Sequence, residues 1–244
     1  MIPGSVGIIG YGAFGRLLAR TLSAHAEVLV HDAVPIEDAG GARVGSLDEV
    51  AGAGAVVLAV NVQHLGGVLG AIAPSLRPGA LVCDVCSVKL EPLALMGSLL
   101  PGSVRTLGTH PLFGPQTVRE KGLAGNTVAL CPGRIGGADL DELRGFLEGT
   151  LGLRAPVVDP DAHDRQMAHA QVVTHLVGRA LCRLELGELE LGTLAYRRLL
   201  QIRDNVLGDS ADLFEAIQRH NPHAAAARRE LLRALEVVVA EAEG

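Results

Sequence analysis

Apolar residues over roughly the first 160 positions come in short runs separated by amphipathic stretches. Residues 5–9, 27–31, 55–59 and 81–84 are nearly unbroken stretches of Val, Ile, Leu and small residues, the pattern of strands buried on both faces. Helical spacing fills 13–24 and 63–72 between them. Such alternation predicts parallel strands joined by crossover helices. Further strands are predicted at 106–109, 127–130 and 155–158, with a helix at 139–150. From Pro160 onward β-branched runs stop, Pro and Gly thin out, and helical periodicity persists to the end of the chain. The expected fold is therefore α/β: a Rossmann-type doubly wound sheet over residues 1–159, then an all-helical domain over 160–244. The last helix, 223–243, aligns Leu231, Leu235, Val238 and Ala242 on one stripe. A small helical domain buries a core poorly by itself, so the stripe predicts a homodimer through that domain.

Composition narrows the ligand class. The formal charge of −6 argues against nucleic acid or an anionic membrane, which call for a clustered basic face; a small molecule is expected. No apolar run has membrane-spanning length and no charged leader with a cleavage site opens the chain, so a cytoplasmic protein is expected. Cys83 and Cys86 form a CxxC pair, but three positions apart on a strand they face opposite ways. That geometry predicts buried thiols and no metal site.

Gly10, Gly12 and Gly15 follow the first strand as GxGxxG and open a helix. Gly10 suits the tight turn, Gly12 lets a pyrophosphate approach the backbone, and Gly15 permits close helix-to-strand packing. The second strand ends in Asp32, about twenty residues on, where a carboxylate can hold ribose hydroxyls and repel an extra phosphate. The cofactor is therefore predicted to be NAD, lined by Gly10, Tyr11, Gly12, Ala13, Phe14, Gly15, Asp32, Val60 and Ser87. Ligands of open α/β sheets bind at the carboxyl ends of strands, and both Ser87 and His110 fall there. A histidine so placed can accept a proton from a substrate hydroxyl while hydride leaves the same carbon. Ser87 is placed to orient the imidazole or that hydroxyl.

These segments resemble the prephenate and arogenate dehydrogenase family, especially the branch containing the dehydrogenase part of bifunctional chorismate mutase/prephenate dehydrogenases. The likeness runs through the glycine loop, DVCSVK at 84–89, GTHPLFGP at 108–115, and HDRQMA at 163–168 followed by Gln171 and His175. It implies a dinucleotide-binding domain followed by a helical dimerisation domain, with His110 as the catalytic histidine. It also implies a cyclohexadiene substrate whose ring hydroxyl carbon gives hydride to NAD as carbon dioxide leaves.

His163, Met167, Gln171, Thr174, His175 and Gly178 are three and four apart, one face of a long helix. By resemblance that face borders the substrate at Gln171, Thr174 and His175, with His163 at the helix start or domain boundary. A substrate with two carboxylates calls for arginine, and Arg197 and Arg203 are the candidates. Gln116 stands six residues after His110, where many relatives carry an acid, and is assigned to substrate binding. No mutase segment or regulatory domain is expected, nor tyrosine control through one. Prephenate, arogenate and 4-amino-4-deoxyprephenate all remain as substrates. A β-hydroxyacid dehydrogenase or imine reductase is a further alternative, although the chain has no lysine after Lys121; a non-catalytic NAD-binding regulator is another.

Overall fold

The computed structural model describes residues 4–244. Among these, one sheet runs in the order β3-β2-β1-β4-β5-β6-β7. Its strands are β1 (Ser5–Ile9), β2 (Glu27–His31), β3 (Arg43–Val44), β4 (Ala55–Leu58), β5 (Leu81–Asp84), β6 (Arg105–Pro111) and β7 (Val128–Pro132). Every neighbouring pair is parallel except β6 and β7. The strand order reverses between β1 and β4, which opens a crevice at the carboxyl ends of those strands. Ile8, Val30, Val56, Leu58, Val82, Leu107 and Leu130 are fully buried. Each such side chain contributes roughly 1.5–3 kcal/mol over leaving it in water.

Connections are helical: α1 (Ala13–Leu22), α2 (Leu47–Ala51), α3 (Val62–Ile72), α4 (Leu90–Leu99), α5 (Pro115–Lys121) and α6 (Gly137–Gly149). The start of α2 is set by a reciprocal cap in which Ser46 Oγ accepts from the Glu49 N–H and the Glu49 carboxylate accepts from the Ser46 N–H. The strand expected at 155–158 is not part of the sheet; that stretch makes only isolated parallel bridges, Thr127 to Arg154 and Leu130 to Val157. Pro156 has no N–H to offer a ladder, which limits the pairing.

The chain divides into two compact units, the first ending at His163 and the second running from Asp164 to Gly244. The division falls within α7 (Pro160–Met167), whose first turn is capped by the Asp159 carboxylate accepting from the Asp161 and Ala162 N–H groups, both at 3.0 Å. A π-helical stretch, Ala168–Val173, leads into α8 (Thr174–Leu181). This corrects the expectation of one regular helix face from His163 to Gly178. The i to i+5 bonding of the π stretch rotates the side chains of α8 about the helix axis relative to those of α7. Thr174 is accordingly exposed, while Gly178 is buried so closely that an added Cβ would lie 2.6 Å from the Val206 side chain.

The remaining helices are α9 (Leu194–Leu207), α10 (Ala211–Arg219) and α11 (Ala224–Glu243). Val172, Ile217 and Ala224 form one buried cluster of this unit, in which Leu181, Leu200 and Val206 are buried as well. Two buried amides serve its backbone, Gln218 donating to the Val172 carbonyl at 2.9 Å and Asn221 to the Asp164 carbonyl at 2.8 Å.

Candidate active site

The glycine loop joins β1 to α1. Gly10 takes a φ of +96°, a conformation that disfavours any side chain, and a Cβ there would also meet the Ala59 carbonyl oxygen at 2.4 Å and Val60 Cγ1 at 3.0 Å. At Gly15 an added Cβ would lie 2.1 Å from the Gly10 carbonyl oxygen, so α1 starts hard against the strand. Gly12 is different: nothing stands within 4 Å of its added Cβ. The space above it, at the amide end of α1, is open to an anion.

Asp32 closes the other side. Its carboxylate accepts the Tyr11 N–H at 2.5 Å and the Val34 N–H at 2.9 Å, tying the end of β2 to the loop. Tyr11, Gly12, Asp32 and Asp38 line a cleft of about 440 Å³, together with Arg16 and Arg20 from α1. These residues fit a dinucleotide's pyrophosphate and ribose. Neither arginine is expected from the sequence, where a cation would be sought only after Asp32. Ala13 is exposed at the start of α1, and Phe14 leans on Phe113 with ring centroids 6.1 Å apart.

A buried polar network ties the carboxyl ends of β5 and β6 together. Lys89 and Asp84 form a fully buried ion pair, and Lys89 Nζ also donates to the Thr109 carbonyl at 2.6 Å. Thr109 Oγ1 donates to the Asp84 carbonyl at 2.5 Å, and the Cys86 N–H to Asp84 Oδ1 at 2.8 Å. Gly108 leaves room for the lysine stem, since a Cβ there would meet Lys89 Cδ at 3.1 Å. Burial raises the Asp84 carboxyl against the opposing pull of the Lys89 ammonium. Ser87 sits half-buried in the loop between β5 and α4 that this network holds.

His110 lies on β6 next to this network, 2% exposed and opposite Ala129 of β7. Its Nδ1 is 2.9 Å from Nε2 of His163, and the two rings meet edge-on with centroids 5.1 Å apart. Burial, then the neighbouring His163 and Lys89, hold the His110 imidazole well below its ordinary pKa. It is neutral at physiological pH. His163 is likewise 2% exposed. The sequence places it at a helix start, which it occupies, but the 53 residues separating it from His110 hide the pairing.

Of the other expected residues in this unit, Gln116 is exposed on α5 and donates to Glu120 at 2.9 Å. Cys83 and Cys86 are buried free thiols, Cys83 pushed up to about 12 by burial. Among the described residues, no group of three or more His, Cys, Asp or Glu could hold a metal ion.

Within the second unit, His175 Nδ1 stands 3.4 Å from Asp209 Oδ2, close but outside hydrogen-bond geometry. Burial lowers the imidazole while Asp209 pulls it the other way. Arg179, one turn on from His175, donates to the Asp209 carbonyl at 3.2 Å and lies 5.3 Å over the Phe214 ring; its buried Nε has no hydrogen-bond partner. Its spacing of four from His175 is the signal in the sequence that could have found it. Gln171 lies half-buried in the π stretch. Arg197 is exposed and donates to the Gly192 carbonyl at 3.0 Å; Arg203 is held by Asp204 at 2.6 Å and by the Leu186 carbonyl. Neither is drawn into the His175 cluster.

The doubly wound sheet, its glycine loop and the helical unit that follows define a nucleotide-binding class of protein. Comparison with known proteins is consistent with this. A profile described as "Prephenate dehydrogenase, nucleotide-binding domain" matches residues 23–153, and one described as "TYRAAT1-like, C-terminal domain" matches 180–243. The chain belongs to the prephenate dehydrogenase family. It is 30% identical to arogenate dehydrogenase 1 of Arabidopsis thaliana, over 97% of this chain and 41% of that protein. With Arabidopsis arogenate dehydrogenase 2 it shares 31% identity, over 98% and 70%, and with 4-amino-4-deoxyprephenate dehydrogenase of Streptomyces pristinaespiralis 30%, over 93% and 80%. The chain thus spans less than half the length of the first of these relatives. The crystal structure of the A. aeolicus prephenate dehydrogenase, in complex with hydroxyphenyl propionate and NAD+, has the same fold. Its TM-score is 0.77 at 19% identity, covering all of this chain and 93% of that one.

Proposed function

We propose that the protein is an NAD-dependent dehydrogenase that oxidatively decarboxylates prephenate or arogenate. The observation that carries this is His110: a buried, neutral imidazole at the carboxyl end of a strand in a nucleotide-binding sheet, in a chain of this family. NAD, when bound, supplies the hydride acceptor; Gly10, Gly12 and Gly15 would cradle its pyrophosphate, with Asp32 at the ribose. His110 accepts the hydrogen bond of the ring hydroxyl at Nε2. As hydride leaves the hydroxyl carbon, the O–H proton is drawn toward His110, and it returns to the oxygen once loss of carbon dioxide makes the ring aromatic. Ser87, in the loop beside the nicotinamide end, steadies the hydroxyl. Gln171, Thr174, His175 and an arginine of the second unit are the further candidates for substrate binding. Arg179 joins Arg197 and Arg203 as a candidate for a carboxylate, because it alone of the three stands beside His175. The protein works as a homodimer through the helical unit, in the cytoplasm.

A second substrate, 4-amino-4-deoxyprephenate, is favoured by the Streptomyces relative, which matches along 93% of this chain. The deciding experiment follows NADH formation with prephenate, arogenate and 4-amino-4-deoxyprephenate in parallel, with NAD and NADP. Turnover of one of the first two with NAD is expected. Turnover of the amino compound alone gives the second substrate, and reduction of neither cofactor by any of the three overturns the proposal.

A further inference from the structure

We infer that His163 is the positioning residue of His110, the two imidazoles forming a dyad in which the Nδ1–H of His110 donates to Nε2 of His163. This rests on the assignment of His110 as proton acceptor. The contact is 2.9 Å long, between two side chains that are each 2% exposed. A neutral imidazole has one N–H and one lone pair, so two facing ring nitrogens allow only two arrangements. If His163 donated, His110 would carry its proton on Nε2 and meet a substrate hydroxyl as a donor, useless as a base. With His110 donating, the lone pair that can accept a proton is the one at Nε2, the ring nitrogen away from His163. The role is the one a carboxylate plays when it fixes the tautomer of a histidine base.

A neutral partner suits the location. Lys89 and Asp84 already place one ion pair in the dry interior beside His110, and a further buried carboxylate would carry a large desolvation cost. An imidazole lone pair can accept the same bond without adding a carboxylate. As the hydroxyl proton moves toward Nε2 of His110, the Nδ1 proton moves toward Nε2 of His163, so the positive charge is shared across two rings and no proton is gained or lost. Local structure holds His163 in place: its N–H donates to the Asp159 carbonyl at 2.8 Å in the first turn of α7, and the Asp159 carboxylate caps that turn.

The test begins on the unmodified enzyme, with 15N-labelled histidine and long-range proton–nitrogen correlation spectra at pH 7.5. His110 is expected as the Nδ1–H tautomer. Two variants complete it: His163→Leu removes the acceptor, and His163→Gln keeps an amide oxygen near the position of Nε2. For Leu, kcat is expected to fall about 10²–10³-fold with KM for NAD unchanged, and His110 to lose its single tautomer. For Gln, at least tenfold of that kcat should return. An Nε2–H tautomer in the unmodified enzyme overturns the dyad whatever the substrate proves to be, and so does a Gln variant no better than Leu. The expected tautomer in an enzyme that turns over none of the substrates supports the dyad and overturns the functional proposal instead.

Discussion

A buried histidine that stays neutral has two consequences of opposite utility. For chemistry it keeps the acceptor lone pair available as pH falls, so the acid limb of the kcat/KM profile should lie below about 6.5, the ordinary imidazole value. His110→Asn should lower kcat about 10²–10⁴-fold, measured as NADH formation. For stability the sign is reversed. Because the folded pKa is depressed, the unfolded chain binds the extra proton first as pH drops. Stability from this group is complete above about 6.5 and is lost as pH falls below it toward the folded value. Thermal melts between pH 7.5 and 5.5 should therefore show the unmodified protein losing more than His110→Asn. Parallel losses in both would mean that His110 titrates normally in the fold. At this scale the sequence was legible where chemistry is local. Gly10, Gly15 and Asp32 announce themselves by spacing, and the Tyr11 N–H on Asp32 is their direct result. The pairing of His163 with His110 was not legible, because a partner 53 residues away leaves no mark in a window of the chain; Arg179 was marked only by its spacing of four from His175, and its contact with Asp209 at the end of another helix was not.

Strand ends are where elements become a site, and here a single ion pair fastens two of them. Lys89 reaches across Gly108 from the start of α4 to bind Asp84 at the end of β5 and the Thr109 carbonyl on β6, one residue before His110. Removing one partner of such a pair strands the other charge, so Lys89→Met should cost about 3–5 kcal/mol of unfolding free energy. The double change Lys89→Met with Asp84→Leu should recover a large part of it, as denaturant titration would show; no recovery would mean that the lysine stem, not its charge, matters. At the ribose end, Asp32→Ala frees the Tyr11 and Val34 N–H groups and leaves Arg16 and Arg20 unopposed by that carboxylate. Its KM for NAD should rise and its preference over NADP should relax. An unchanged ratio would take discrimination away from Asp32. Strands β1, β2, β4 and β5 were readable from apolar runs because both sheet faces are covered. The two-residue β3, and α4 with Pro92 buried in its first turns, have no such periodic signature. The π stretch defeated pattern counting outright, since a spacing of three and four assumes an unbroken α-helix.

At the scale of the whole molecule, α11 poses the sharpest physical problem. Only Ala224 and Ala227 of its twenty residues are buried, while Leu232, Leu235, Val237, Val238 and Val239 are each more than half exposed. A contiguous apolar surface of this kind in water marks an interface, and the unit that carries it runs only from Asp164 to Gly244, short for a core that must stand alone. Leu191 and Leu194, before and at the start of α9, are exposed as well. A second copy of the chain meets both needs, since a two-fold contact covers the same stripe on each protomer and enlarges a core too small alone. Sedimentation should then give twice the 25.3 kDa chain mass. The double substitution Leu235→Glu with Val238→Glu places two charges in the middle of the stripe and should yield a monomer with a lower melting temperature. Association of the unmodified chain should also make its melting point rise with protein concentration, a dependence the double variant loses. A monomeric unmodified protein at micromolar concentration, with a melting point independent of concentration, would assign the exposed face of α11 to something other than a second copy.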